Sequence, residues 1–246
     1  MSLGKAGLIS FLTGFGPGVG DLRLKAAQMS LSGTVALPTH MLHTRISATV
    51  DDAGDIVIAN LAKLLTFVKT LPQDALVSLW QPKNSTLRVI SGKTELTLPT
   101  TDYVASHKNV TKAMALVTDA ENSNWKSWAG KALTCYGRLQ VADLTQLKSV
   151  EKVIGKDTPV TMKFDPNEEH LEFAAGARGS ASMSICVDVE DCDGPEAKSH
   201  YGSWLPQVLH MIPAGSVELY TANDFVCIFR HTEKDHLLLV MDKRGE

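Results

Sequence analysis

NLAKLLTFVKTLPQDALVSLWQPKNSTLRVISGKTELTLP, residues Asn60 to Pro99, is the stretch on which the reading of this chain turns. Leu61, Leu64, Leu65 and Val68 recur at i, i+3, i+4 and i+7, which sets four apolar side chains on one stripe of a helix. Lys63 and Thr66 lie on the other side, with Lys69 at its margin. Leu71-Pro72 stops the helix, because proline lacks an amide hydrogen and restricts the residue before it. Leu76 to Trp80 then reads as a strand, Pro82-Lys83-Asn84-Ser85 as a turn and Leu87 to Ile90 as the partner strand.

Three further stretches repeat this helix, link and meander of strands. One spans Leu144 to Ala175: helix LTQLKSVEKVI, strand Val160 to Phe164, turn Asp165-Pro166-Asn167, strand His170 to Phe173. Another spans Ser203 to Arg230, with helix SWLPQVLHM and strands Val217 to Tyr220 and Phe225 to Phe229. The last opens the chain with helix GLISFLTG, a glycine-rich link and strand Leu22 to Ala26, followed by Met29-Ser30-Leu31. The copies are spaced too irregularly for a solenoid, and they pair. The expectation is an α+β chain of two similar domains, residues 1–99 and 132–246, each built from two similar halves. Residues 100–131 hold no long periodic run and are expected to be the connector.

A chain of 246 residues lies near the size at which one core stops growing and chains divide. With 44% hydrophobic and 21% charged residues it has the composition of an ordinary soluble protein. No apolar run reaches the roughly 20 residues that cross a bilayer, and no secretory leader pattern is seen, so a cytoplasmic location without membrane attachment is expected. Cys135, Cys186, Cys192 and Cys227 lack metal-ligand spacing and read as reduced thiols. A formal net charge of −3 argues against coating nucleic acid by bulk charge, yet permits a basic face on an acidic body.

Several local patterns lead nowhere. Gly14 to Gly20 is glycine-rich but follows a helix and precedes a strand, the reverse of a phosphate-binding loop. His40 and His43 sit in an extended stretch, where residues three apart face opposite sides, so no shared metal is expected. Asp188 to Gly194 fails the register of a calcium loop and reads as an acidic surface loop. Lys63 and Lys69 in one helix, and Lys148 and Lys152 in another, point away from the apolar stripe. No catalytic motif and no cofactor fingerprint emerges.

Two domains of two helix-plus-meander halves, joined by a long connector, resemble the DNA sliding clamps: PCNA, the T-even phage clamp and the three-domain bacterial polymerase III beta subunit. Leu133-Thr134-Cys135 through Leu147 resembles the strand and helix that open the second PCNA domain. Trp204-Leu205 through Val240 resembles its last helix and closing strands, and Thr39-His40-Met41 the segment beside the PCNA partner pocket. PCNA's C-terminal Leu-Ala-Pro is replaced by Met241-Asp242-Lys243.

The resemblance implies the clamp fold and a ring of six domains, hence a homotrimer of phage or bacterial origin joined through sheet edges. It implies a chain that performs no chemistry and needs no cofactor. Such a ring encircles duplex DNA independently of sequence, tethers a DNA polymerase and is placed by a clamp loader. It assigns Lys63, Lys69, Lys148 and Lys152, with Lys5 and His210, to the DNA-facing helices. It assigns His40, Met41, His43, Val240 and Met241 to the partner pocket. A subunit of a hetero-oligomeric ring, a non-DNA assembly protein, and a small-molecule binder or enzyme are the alternatives.

Overall fold

The computed structural model describes residues 1–16, 19, 22–37, 39–82, 86–99, 104–155, 157–176, 181–233 and 236–240, with backbone alone at 104–109, 148, 151, 236, 239 and 240. The chain divides into two compact units. Unit 1 comprises residues 1–36 and 42–112, and unit 2 comprises 37–41 and 113–246.

In unit 1, β1 (Ser2–Gly4) leads into α1 (Lys5–Thr13). There follow β2 (Leu22–Ala27), β3 (Ser30–Ala36), β4 (His40–Ser47), whose first two residues His40 and Met41 belong to unit 2, and β5 (Gly54–Ile58). After α2 (Leu61–Thr70) come β6 (Leu76–Trp80), β7 (Leu87–Ser91) and β8 (Thr94–Leu98). One sheet has the order β1-β6-β7-β8, and the other strands run β4-β3-β2-β5. The expected strand Leu76 to Trp80 is found with those bounds. Its partner extends one residue beyond Ile90, to Ser91.

Alternation fixes which face of each strand is inside. Leu22 and Leu24 of β2, Val77 and Leu79 of β6, and Leu87 and Val89 of β7 are buried together with Leu8, Leu12, Leu64 and Val68 of the helices. Phe15, just past α1, stacks edge-on against Phe11 with ring centroids 5.3 Å apart. It presses so closely on β3 that a Cβ at Gly33 would lie 2.4 Å from its ring. α2 begins where Asn60 Oδ1 accepts from the Lys63 amide at 2.9 Å, an N-cap that satisfies one otherwise unpaired donor. It ends at Leu71, which is extended (φ −69°, ψ 159°) as its position before Pro72 requires.

The stretch after Pro99 departs from expectation. It carries α3 (Val104–Asn122), a helix of 19 residues. Val110, Ala113, Val117 and Ala120 form its buried stripe, but two alanines and the intervening Thr, Lys and Asp residues leave little hydrophobic contrast to read. Trp125 and Trp128 beyond it are both buried.

Unit 2 repeats the plan. β9 (Ser127–Trp128) and β10 (Lys131–Ala132) form a short hairpin. β11 (Cys135–Gln140) leads into α4 (Val141–Leu144), a 3-10 turn at Thr145–Leu147 and α5 (Lys148–Val153). β12 (Val160–Asp165), β13 (His170–Gly176), β14 (Ser182–Asp188), β15 (Glu190–Asp193) and β16 (Ala197–Tyr201) precede α6 (Leu205–Leu209). β17 (Ser216–Thr221), β18 (Cys227–His231) and β19 (His236–Val240) close the unit. Its sheets have the orders β14-β13-β12-β16 and β15-β11-β17-β18-β19.

Three expectations are corrected here. The helix expected over Leu144 to Ile154 starts at Val141 and is broken by the 3-10 turn. Its buried residues Val141, Leu144, Leu147 and Val150 are spaced by three, the period of the tighter winding, which keeps all four inward. Thr145 and Ser149 hydroxyls donate back to the carbonyls of Ala142 and Gln146, three residues earlier, in competition with the regular ladder. The helix expected over Ser203 to Met211 is five residues long, with Pro206 in its first turn. The acidic stretch Asp188 to Gly194 is not a simple loop, since Glu190–Asp193 pairs with β11 as an edge strand.

Candidate nucleic-acid interface

The helices of each unit pack in pairs, α1 with α2 and α5 with α6. In unit 1 the solvent side of α1 is small, with Ala6, Gly7, Ser10 and Thr13 exposed. A Cβ added at Gly7 would meet nothing within 4 Å. Beside it, α2 presents Lys63, Thr66, Lys69 and Thr70 to solvent. The hydroxyls of Thr66 and Thr70 donate to the carbonyls of Ala62 (2.9 Å) and Phe67 (2.7 Å), so the lysine ammonium groups are the outward polar groups. Neither Lys63 nor Lys69 joins an ion pair among the described residues.

Lys5 has a different role from the one its position in the sequence implied. Its Nζ donates to the carbonyl of Lys69 at 2.9 Å and also to that of Leu71. It therefore caps the C-terminal end of α2, where unpaired carbonyls and the negative end of the helix dipole favour a cation. Sequence reading placed Lys5 among DNA-facing cations, whereas the fold uses its charge to join α1 to α2.

In unit 2, Lys152 is exposed, and the side chain of Lys148 lies outside the described residues. His210 caps α6 at its C-terminal end and is exposed. Asp143, in the first turn of α4, is half-buried.

The expected partner-pocket residues on β4 are interior. His40, Met41 and His43 are 7%, 5% and 4% exposed. His40 Nδ1 lies 2.9 Å from Thr39 Oγ1, and His43 Nδ1 lies 2.8 Å from Thr34 Oγ1. Burial pushes the His40 imidazole below its ordinary value, because the charged form loses its hydration. All three side chains are buried rather than presented to solvent. Strand β4 is buried on both faces from His40 to Thr44, so the alternation that would expose one face is missing. Val240 belongs to β19, its side chain outside the described residues, as is Met241.

Two features escaped sequence reading. On the sheet β1-β6-β7-β8, Leu76 and Trp80 stand 68% and 50% exposed, and Arg88 lies over the Trp80 ring at 5.3 Å while pairing with Glu95. The strict alternation Leu76, Ser78, Trp80 was the available signal. In unit 2, Trp125 and Tyr136 both pack on Tyr220 (centroids 5.9 and 5.3 Å), and Arg230 lies over Trp125. These partners come from separate stretches, and no local pattern joins them. Among the described residues no three His, Cys, Asp or Glu side chains converge to hold a metal ion, and no helix is long and apolar enough to cross a membrane.

No protein-family model and no curated protein matches this sequence. Solved structures do resemble it. A protein described as a DNA polymerase III beta subunit from Eubacterium rectale superposes with a TM-score of 0.79 at 13% identity. All of this chain is covered, but it spans just 65% of that longer chain. PCNA from A. fulgidus, solved bound to the C-terminal region of FEN-1, gives a TM-score of 0.70 at 14% identity, covering 100% of this chain and 98% of the other. PCNA from Thermococcus kodakaraensis gives 0.70 at 13% identity, with 97% of both chains covered. Two units of paired helices on antiparallel sheets, matched end to end by these structures, make this the fold of the DNA sliding clamps.

Proposed function

We propose that this chain is a sliding clamp, which encircles duplex DNA without reading its sequence and tethers a DNA polymerase. The observation that carries the reading is the solvent face of α1 and α2, whose charged residues are all lysines on a chain of net charge −3. Duplex DNA is a dense line of phosphate charge, and weak lysine contacts on rigid helices hold it without fixing its register. By this reading Lys63 and Lys69 of α2 face phosphates, and Lys148 and Lys152 lie on the corresponding helix of unit 2. The chain carries out no reaction; processivity comes from topology.

Closure requires free sheet edges. β8 ends one four-stranded sheet and β14 ends the other, and among the described residues each has a strand partner in its own sheet on one side alone. Pairing of β8 with β14 of the next protomer makes a head-to-tail contact that closes a ring of three chains. A clamp loader and a polymerase are the proposed partners, docking on surfaces other than the buried His40, Met41 and His43. Light scattering over a concentration series tests the assembly. A species of about 80 kDa, three times 26.6 kDa, supports a homotrimer. A persistent monomer rejects it and points to a hetero-oligomeric ring.

A further inference from the structure

The two units differ in charge on the same pair of structural elements. α1 and α2 together hold Lys5, Lys63 and Lys69 and no carboxylate. The helical segment from Val141 to Val153 holds Lys148 and Lys152 but also Asp143 and Glu151, and α6 holds no charged residue. Two cations and two anions within thirteen residues leave the segment with no net charge, so it adds no net field at distances of a Debye length, about 8–10 Å, or more. α1 and α2 themselves carry no acidic residue to offset their lysines.

Placement makes the contrast sharper. Lys63 is in the first turn of α2, at the positive end of the helix dipole, where a cation costs stability and an acidic residue is favoured. Lys5 satisfies the unpaired carbonyls at the opposite end and brings a third positive charge to the same helix pair. The exposed side of α1 is made of Ala, Gly, Ser and Thr, so α1 itself sets nothing bulky or negative beside Lys63 and Lys69.

We infer that unit 1 alone holds the duplex electrostatically, through the α1–α2 face, and that the helices of unit 2 contribute no net attraction. This rests on the clamp reading and narrows it: the ring has alternating gripping and passive sectors, which keeps total affinity low enough for sliding.

The test compares two variants by the salt dependence of affinity for a short linear duplex, read by fluorescence anisotropy between 50 and 200 mM salt. One is Lys63→Gln with Lys69→Gln. The other removes every charge of the unit 2 segment without changing net charge: Asp143→Asn, Lys148→Gln, Glu151→Gln and Lys152→Gln. Light scattering and circular dichroism verify mass and folding for both. The slope of log affinity against log salt falls by about 0.9 for each phosphate that is no longer neutralised. We expect a fall of about 1.8 per engaged protomer for the first variant, equivalent to roughly 12-fold less affinity lost over that salt range, and no change for the second. An equal fall in the second variant, or an unchanged slope in the first, overturns the inference and leaves the clamp reading standing. Absence of salt-dependent duplex binding by the unaltered chain overturns both.

Discussion

Replacing Lys63 by Glu is expected to make the protein more stable and less able to hold DNA. Lys63 occupies the third helical position of α2, and its backbone amide donates to Asn60 Oδ1 at 2.9 Å. The first turn of α2 contains no acidic residue. A cation there opposes the helix dipole by about 0.3–1 kcal/mol, and an anion gains a similar amount. The exchange is therefore worth about 0.6–2 kcal/mol in favour of folding, with more if the new carboxylate reaches back to the Asn60 amide as a capping box. For a chain of this size each kcal/mol raises the melting temperature by about 2–4 °C, giving an expected rise on the order of 1–8 °C. Circular dichroism melting at low salt measures it, alongside retention on duplex DNA. A lower melting temperature would show that Lys63 makes a stabilising contact and is not an outward charge. Unchanged DNA retention would remove Lys63 from the interface.

Other perturbations separate core from surface. Leu64→Ala, at a side chain with no exposure, is expected to cost about 2–5 kcal/mol in denaturant unfolding, and Leu65→Ala, at a half-buried neighbour, clearly less; equal costs would contradict the assigned helix face. Gly33→Ala places a methyl group 2.4 Å from the Phe15 ring and 2.9 Å from Leu24 Cδ2, and is expected to destabilise by about 1–3 kcal/mol, so a neutral result would mean that Phe15 is not fixed against β3. His40 is held below its ordinary value of 6.5 by burial. As pH falls through 6.5 the unfolded chain takes up a proton that the folded chain resists, so stability declines. His40→Gln is expected to lessen that decline below about pH 6.5, and a decline identical to that of the unaltered protein would refute the assignment.

The parts of the fold that were legible are those where period and punctuation agree. Leu61, Leu64 and Val68 are spaced for an ordinary helix, Asn60 caps it and Pro72 ends it, and the strand that follows has the bounds read from its residues. The unit 2 helix was harder because its buried residues are three apart, a spacing that an α-helical template matches in part and a mixed α and 3-10 segment matches fully. α3 was missed because alanine fills half of its buried stripe, and a stripe of small residues has little hydrophobic contrast.

The candidate site was less legible than the fold. That Lys63 and Lys69 are exposed followed from helical geometry. That Lys5 directs its charge to the α2 carbonyls did not, because the partner atoms are 64 and 66 residues away. The burial of His40, Met41 and His43 was hidden for another reason: a strand covered on both faces loses the alternation by which a surface is recognised.

Encirclement is tested most directly by topology. Protomers allowed to assemble on nicked circular duplex are separated from free protein by gel filtration, and the circle is then cut once. The account predicts that the protein travels with the circle at a salt concentration that abolishes binding to short duplexes, and is released when the circle is linearised. Equal retention on circular and linear DNA, or release from the circle by salt alone, would contradict it.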